Sequence, residues 1–405
     1  MASKKRVALI YGGVSGEHSV SCLTAASVMR AMDPQKYEIL PIGIRRDGTW
    51  VPGVKDPALL EAAGPRGEVA DSSSRVLLGI QQDAGVAYTI NATPAEEKQV
   101  QGPPSGAVEA SASGGDGPEA GEWHCAQQGG SATLTDIGHV DVAFPLLHGP
   151  FGEDGTIQGM LEMAGIPYVG SGVFASAAGM DKHYMKVVLE AAGLPVAPYV
   201  LATARRWRTE RDAVLREVEE RLHYPVFVKP ARAGSSLGIS RVEDAGGLVA
   251  AVQLAQQTDP KVIIEQGVTG REIECAVLGG HGDEPARASV LGEIVLDNQW
   301  YDYQTKYIQT EGFHMEIPAA VDDDTAARMR AMAIEVFDAF ECEGMTRVDF
   351  FLTDGGEIVV NEHNTIPGFT AVSMYPILWQ KTGLDYSALI DELITLALER
   401  PLGLR

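Results

Sequence analysis

Residues 343–376 read EGMTRVDFFLTDGGEIVVNEHNTIPGFTAVSMYP. Two β-rich runs, Thr346 to Leu352 and Glu357 to Asn361, flank Thr353-Asp354-Gly355-Gly356, and an Asp-Gly pair between such runs signals a hairpin. Side chains alternate faces along a strand. A loop centred on Asp354-Gly355 therefore places Arg347 across from Glu362, with Asp349 on the diagonal and Asn364 following on the same face. Val348, Phe350 and Leu352 project the other way, into a core. A face of hard oxygen donors suits Mg²⁺ held between carboxylates and phosphate. The same residues also describe an ordinary hairpin with one solvated charged face, so the decision falls to the rest of the chain.

The 405 residues allow two or three domains and a sizeable core, and 45% hydrophobic with 21% charged residues is a globular composition. A formal net charge of -23 opposes general nucleic-acid binding, because a phosphate backbone would be repelled. The start, MASKKRVALIYGG, passes straight into a strand-and-glycine pattern without an apolar signal core, and no later run is long enough to span a bilayer. The expected location is cytoplasmic, with no membrane partner. Cys22, Cys125, Cys275 and Cys342 are scattered without a CxxC pair, so neither zinc nor a disulfide framework is indicated.

RVALIY (Arg6 to Tyr11) predicts a buried strand, followed by the turn GGVSG and a helix over Glu17 to Met32, a βα unit that opens an α/β domain. The turn lacks G-x-G-x-x-G spacing, which argues against a dinucleotide fingerprint. Glu17, exposed at the junction, suits either the positive helix end or a substrate ammonium group. From Glu96 to Thr133 the composition turns to Gly, Ser, Ala, Pro, Gln and Glu, which predicts a surface insertion. Val140 to Leu147 predicts a buried strand, and HGPFGEDGT follows at its C-terminal end, where α/β sheets bind ligands. His148 in that loop is either a structural histidine or a binding group.

Ser176 to Ala192 has helical spacing and carries Lys182 and Lys186, with Gly193-Leu194-Pro195 as its stop. Thr209 to Leu222 predicts an amphipathic helix. The strand Tyr224 to Pro230 ends in Lys229 and runs into ARAGSSLG, a small-residue loop whose amides and hydroxyls, Ser235 and Ser236 among them, can wrap phosphates; the lysine precedes the glycines, so it is not a Walker A loop. Val262 to Glu265, then a polar crossover, then Ile273 to Leu278 could hold an adenine. WYDYQTKY (Trp300 to Tyr307) predicts a lid.

Taken in order, GGVSGEHSVS, LHGPFGEDGTIQG, VFVKPARAGSSLG, EQGVTGREI, YDYQTKY, TRVDFF and VNEHNTIPGFTAVSMYP resemble the D-alanine–D-alanine ligases of the ATP-grasp superfamily. The resemblance covers nearly the whole chain outside 96–133. It implies an α/β, three-domain ATP-grasp architecture: an N-terminal Rossmann-like (pre-ATP-grasp) domain over 1–170, a central subdomain over 171–264 and a C-terminal subdomain over 265–405. By motif, Lys182, Lys229 and Ser236 would contact ATP phosphates, and Glu265, Gln266, Val268 and Glu272 would hold adenine and ribose. Asp349, Glu362 and Asn364 would bind two Mg²⁺ ions, with Mn²⁺ as a substitute. Glu17 would hold the ammonium of the first D-alanine, with His148 beside it. Glu17, Ser235 and Tyr307 would form a hydrogen-bonded set beneath the lid. Ser373 and the Met374 backbone would take the second carboxylate, and Arg347 with the Gly368 amide would form the oxyanion site. A homodimer is expected.

The implied chemistry activates one D-alanine as an acyl phosphate before the second attacks it. Lys306-Tyr307 is the lid pair that, by the resemblance, favours D-alanine as second substrate. D-lactate and D-serine ligases are the close alternatives, and a non-catalytic nucleotide-binding regulator is the distant one. Ile366 and Met374 depart from the family pattern and bear on the second site. His363, by alternation, faces away from the metal set.

Overall fold

The computed structural model describes residues 3–62, 64, 67–79, 85–92, 132–234, 237–296 and 313–400. Ser235, Ser236, Lys306 and Tyr307, the Trp300 to Tyr307 loop and positions 96–131 of the expected insertion lie outside the described residues.

The first unit is the predicted βα pair. Strand β1 (Lys5–Gly12) is buried from Val7 to Tyr11, and α1 (His18–Ala31) packs on it through Cys22, Ala25, Ala26 and Val28. Strand β2 (Tyr37–Ile44) and β3 (Trp50–Pro52) extend one side of β1. After α2 (Pro57–Ala62) comes an antiparallel sheet of β4 (Ser74–Leu78), β5 (Val86–Ala92) and β6 (Ala132–His139), which no sequence signal indicated. Most of β6 is exposed or half-buried, so it lacks the apolar run that marks a buried strand. Ala132 and Thr133, assigned by composition to the insertion, pair with Ala92 and Asn91 as the start of β6. Strand β7 (Val142–Pro145) completes a sheet of order β3-β2-β1-β7, with β1 parallel to both β2 and β7.

Helix α3 (Thr156–Met163) follows. The periodicity of 176–192 predicts one helix; the structure has two, α4 (Val173–Met180) and α5 (Lys182–Ala191). Asp181 breaks them by adopting an extended backbone, and its carboxylate accepts the amide hydrogens of His183 and Tyr184 at the start of α5. Lys182 thus becomes the first residue of a capped helix.

The central sheet contains β8 (Tyr199–Thr203), β9 (Val226–Pro230), β10 (Ser240–Val242) and β11 (Lys261–Gln266), antiparallel in the order β10-β9-β11-β8. Helices α6 (Ala204–Thr209), α7 (Arg211–Arg221) and α8 (Ala245–Ala255) bury Trp207, Val218 and Val252 against Val200, Val228 and Ile264 of the strands.

The last sheet runs β14-β13-β12-β15-β16, also antiparallel: β12 (Gly270–Leu278), β13 (Arg287–Leu296), β14 (Phe313–Glu316), β15 (Met345–Thr353) and β16 (Ile358–Asn364). Its apolar face packs on α9 (Asp323–Ala339) together with α4 and α5, through Phe350, Val348, Phe337, Met329 and Leu189. Helices α10 (Met374–Thr382) and α11 (Tyr386–Glu399) place Tyr375, Leu389 and Leu393 in one core with Phe144 and Val28 of the first unit. The C-terminal helices thereby tie the ends of the chain together.

The opening hairpin exists, with alternation as predicted: Val348, Phe350 and Leu352 are buried while Arg347 and Asp349 face the other side. Its register differs. Asp349 stands opposite Glu362 and Arg347 opposite Asn364. The turn closes with the Thr353 amide donating to Glu357 O at 2.9 Å, which centres it on Gly355, and a bulge between Asp349 and Phe350 shifts the pairing by one residue more. The two carboxylates are therefore directly across from each other rather than diagonal.

Candidate active site

The polar face of β15 and β16 is knit by one guanidinium. Arg347 Nε and Nη2 donate to the two Asp349 oxygens at 2.7 Å each, and Asn364 Nδ2 donates to Asp349 Oδ2 at 3.0 Å. Arg347 Nε also lies 3.0 Å from Glu274 Oε2 on the neighbouring β12. Burial would lower the Arg347 pKa, but the Asp349 and Glu274 carboxylates reverse this and hold it well above the usual arginine value. Glu274 was not among the predicted residues. It shares a strand face with Glu272, and that alternation could have flagged it.

Among the described residues no three His, Cys, Asp or Glu side chains gather closely enough to hold a metal by themselves. Two carboxylates and an amide, Asp349, Glu362 and Asn364, are nevertheless the donor set for a hard cation that takes its remaining oxygens from phosphate and water. The residues present fit that group. His363 is buried on the opposite side, with its ring centroid 4.1 Å from that of Phe340 and its pKa lowered to about 4 by burial, so it stays out of the set as predicted.

A cation approaches this face from α5. Lys182 Nζ donates to Ala233 O at 3.1 Å and lies 3.7 Å from Glu362 Oε2. Lys229 Nζ reaches Glu265 Oε1 at 2.5 Å, and Lys186, one helical turn beyond Lys182, reaches Glu265 Oε2 at 2.8 Å. Both oxygens of Glu265, expected at the adenine, are thus engaged by lysines, and Lys186, noted in the sequence without a role, is a full member of the cluster. Gln266 Oε1 accepts the His223 amide hydrogen at 3.0 Å, and Val268 and Glu272 stand half-buried in the crossover and at the start of β12.

Burial disfavours the charge on Glu265, but Lys186 and Lys229 outweigh it and hold the pKa at about 2, below the ordinary 4.5. A depressed carboxylate adds stability that is present above the unfolded value and lost as pH falls towards the folded one. The loss should amount to about 3 kcal/mol between pH 4.5 and 2. Urea unfolding across that window checks it: the Glu265→Gln variant should lose most of this pH dependence.

On the other side of the cleft, Glu17 precedes α1 and its amide donates to Ser15 Oγ at 3.2 Å. A Cβ at Gly149 would stand 2.9 Å from Glu17 Oε2, and one at Gly234 3.2 Å from the same oxygen. Two loops from different sheets therefore close on this carboxylate because both positions lack a side chain. His148 is buried; its Nδ1 lies 3.2 Å from Ile366 O, a carbonyl that can only accept, so Nδ1 carries the proton. Burial lowers the His148 pKa against the opposing pull of Glu17, and Nε2 of the neutral ring has no hydrogen-bond partner among the described residues. An unpaired acceptor beside a carboxylate is a fitting receptor for an ammonium group.

Glu153, in the same loop, was missed. Its Oε2 accepts the Gly149 amide hydrogen at 2.6 Å, and burial, then the Glu17 charge, pushes its pKa up to about 8. In sequence it is one of several acids in a turn; only the folded loop turns it towards Glu17.

Ser373 caps α10 by position, but its Oγ bonds the Thr370 amide at 3.0 Å and the Thr370 hydroxyl at 2.8 Å. A Cβ at Gly368 would come 3.3 Å from the same Oγ, which puts the Gly368 backbone beside this helix start. Met374 buries its side chain, and only its backbone amide is presented at the N-terminus of α10, a place suited to a carboxylate. Ile366 is likewise in the core.

Residues 6–171 match the family described as D-ala D-ala ligase N-terminus, and 188–395 the one described as D-ala D-ala ligase C-terminus. A protein of Arthrobacter sp. (strain FB24) named D-alanine–D-alanine ligase is 48% identical over 407 aligned positions, covering 100% of this chain and 96% of that protein. The VanG D-Ala:D-Ser ligase from Enterococcus faecalis superposes with a TM-score of 0.76 at 32% identity, over 98% of this chain and 100% of its own. The D-alanine-D-alanine ligase from Coxiella burnetii gives 0.74 at 28%, over 98% and 95%. The mixed α/β architecture is thus the ATP-grasp fold these enzymes share. With both halves matched and a near half-identical relative running its full length, the chain belongs to the D-alanine–D-alanine ligase family.

Proposed function

We propose that this chain joins two D-alanines into D-alanyl-D-alanine for peptidoglycan precursors, converting ATP to ADP and phosphate. The observation that carries the reading is the position of Lys182, whose ammonium bridges from Ala233 of the loop after β9 to Glu362 of the metal face. A nucleotide phosphate lying there meets a cation and hard oxygen donors together.

The first D-alanine anchors its ammonium at Glu17 and His148 and directs its carboxylate at the γ-phosphorus. Attack forms the acyl phosphate and releases ADP. Lys182 and Lys229 offset charge on the phosphates, while Glu265 and Lys186 fix where Lys229 points. Asp349, Glu362 and Asn364 would hold two Mg²⁺ ions, replaceable by Mn²⁺, which supply charge neutralisation on the transferring phosphoryl group. The second D-alanine, its carboxylate at Ser373 and the Met374 amide, loses a proton and attacks the acyl carbonyl. Arg347 and the Gly368 amide stabilise the oxyanion, which collapses to the amide and expels phosphate. Ser236 would add to phosphate binding; Gln266, Val268 and Glu272 would take adenine and ribose; and Ser235, Lys306 and Tyr307 would complete the substrate enclosure. No helix among the described residues is long and apolar enough to cross a membrane. The reading places the enzyme in the cytoplasm as a homodimer.

Because one structural neighbour is named a D-Ala:D-Ser ligase, D-serine is the second reading. Incubation with ATP and Mg²⁺ plus D-alanine alone, D-alanine with D-serine, and D-alanine with D-lactate, followed by phosphate assay and mass analysis, separates them. D-Alanyl-D-alanine should dominate in all three mixtures. Dominant D-alanyl-D-serine or D-alanyl-D-lactate would replace the reading, and absence of phosphate release would overturn it in favour of a non-catalytic nucleotide-binding protein.

A further inference from the structure

The short segment between α8 and β11 carries Asp259, which together with Lys261 at the start of β11 ties the two cation-bearing pieces of the nucleotide site to each other. Asp259 is 4% exposed. Its Oδ2 accepts the Arg232 amide hydrogen at 2.9 Å and Arg232 Nε at 3.0 Å, while Oδ1 accepts Arg232 Nη2 at 2.7 Å and the Lys261 amide at 2.9 Å. One buried carboxylate therefore holds the backbone and side chain of the residue that leads the loop following Lys229.

Lys261, two residues on, extends the clamp. Its Nζ donates to both oxygens of Asp181, at 2.7 and 2.8 Å, and lies 3.9 Å from the centroid of the Tyr184 ring. Asp181 is the cap of α5, the helix that begins with Lys182 and carries Lys186. The backbone closes the circuit: the Lys182 amide donates to Ala231 O and the Ala231 amide to Lys261 O, at 2.9 and 2.8 Å. Helix α5, the 231–234 loop and the start of β11 are thus one bonded unit.

Resting on the ligase reading, we propose that Asp259, with Arg232 and the Lys261–Asp181 pair, is a positioning device for the nucleoside triphosphate. It sets the loop after β9 and the α5 lysines at the spacing the phosphates require, without contacting them. A charge-assisted carboxylate with four donors is a stiff joint, and rigid support of this kind governs how well binding groups converge. Asp259 is the buried group that joins the loop to the start of β11, which makes it the point on which that geometry turns.

Asp259→Asn keeps the size but removes the charge and replaces one acceptor by a donor. It should raise the KM for ATP by about tenfold, with kcat and the KM for D-alanine moving much less. Arg232→Ala should act in the same direction and Arg232→Lys should recover part of the loss, while Lys261→Met tests the α5 arm separately. Calorimetric titration with ADP and Mg²⁺ measures nucleotide affinity without turnover, so the device is tested even if the parent protein makes no dipeptide. Weakened ADP binding in Asp259→Asn and Arg232→Ala, partly restored in Arg232→Lys, is the expected result. Unchanged ADP affinity in folded variants, or a fall in kcat at constant KM for ATP, would overturn the proposal. A parent that binds ADP but consumes no ATP with D-alanine would instead overturn the ligase reading and leave the positioning result standing on its own.

Discussion

Glu362→Gln is expected to lower kcat by ~10³-fold at ordinary Mg²⁺ concentrations, and to recover part of that activity as the metal concentration is raised. The substitution keeps the side-chain volume and sits on a half-buried face, so folding should be little affected. What it removes is one of two carboxylates that stand opposite each other on β15 and β16, the one 3.7 Å from Lys182. The other, Asp349, already accepts two bonds from Arg347 and one from Asn364. A cation between phosphates and this face therefore depends on Glu362 for much of its charge compensation. Steady-state rates across a Mg²⁺ series decide the matter. Near-normal turnover at low metal would remove Glu362 from the ligand set.

Arg347→Lys should cost ~10²- to 10³-fold in kcat with little change in the KM for ATP. Lysine retains the charge that Asp349 and Glu274 require, which guards against the 3 kcal/mol or so lost when a buried ionic group is left unpaired. It cannot reproduce the planar fork that now spans Asp349 and Glu274. A point charge held by two carboxylates would not project donors to a developing oxyanion in the same geometry. Kinetics paired with thermal unfolding distinguish this from collapse of the face: a fall in kcat with an intact unfolding transition is expected, and unaltered kcat would show that the guanidinium only organises the hairpin.

The hairpin shows what local pattern can and cannot carry. Alternation correctly divided Val348, Phe350 and Leu352 from Arg347 and Asp349, since a two-residue period is a property of any strand. The pairing between the strands was off because turn closure at Thr353 and Glu357 and the bulge after Asp349 are decided by backbone hydrogen bonds, not by hydropathy. Asp181 is a similar case. A capping residue inside an apolar periodic run reads as a tolerated polar position, and only its bonds to the next amides reveal two helices.

Groups that act across the fold were the least legible. Lys186 and Lys229 belong to different elements, and nothing local to either predicts that both will grip Glu265. Glu153 owes its raised pKa first to burial and then to the approach of Glu17, which depends on glycines at 149 and 234. The strands of the β4–β6 sheet went unseen for a different reason: Val76 and Ala87 are buried, but most of their other described side chains are half-buried or exposed, and β6 leaves no apolar run. Order of motifs along the chain succeeded where single motifs did not, because each loop's meaning came from the others it meets in the cleft.

The most direct test of the central claim follows oxygen. With D-alanine labelled by ¹⁸O in its carboxylate, attack on the γ-phosphorus and later attack by the second amine must leave one labelled oxygen in the phosphate released with each dipeptide. Mass analysis of that phosphate should show a single ¹⁸O per molecule formed. Unlabelled phosphate accompanying D-alanyl-D-alanine would contradict the acyl phosphate route.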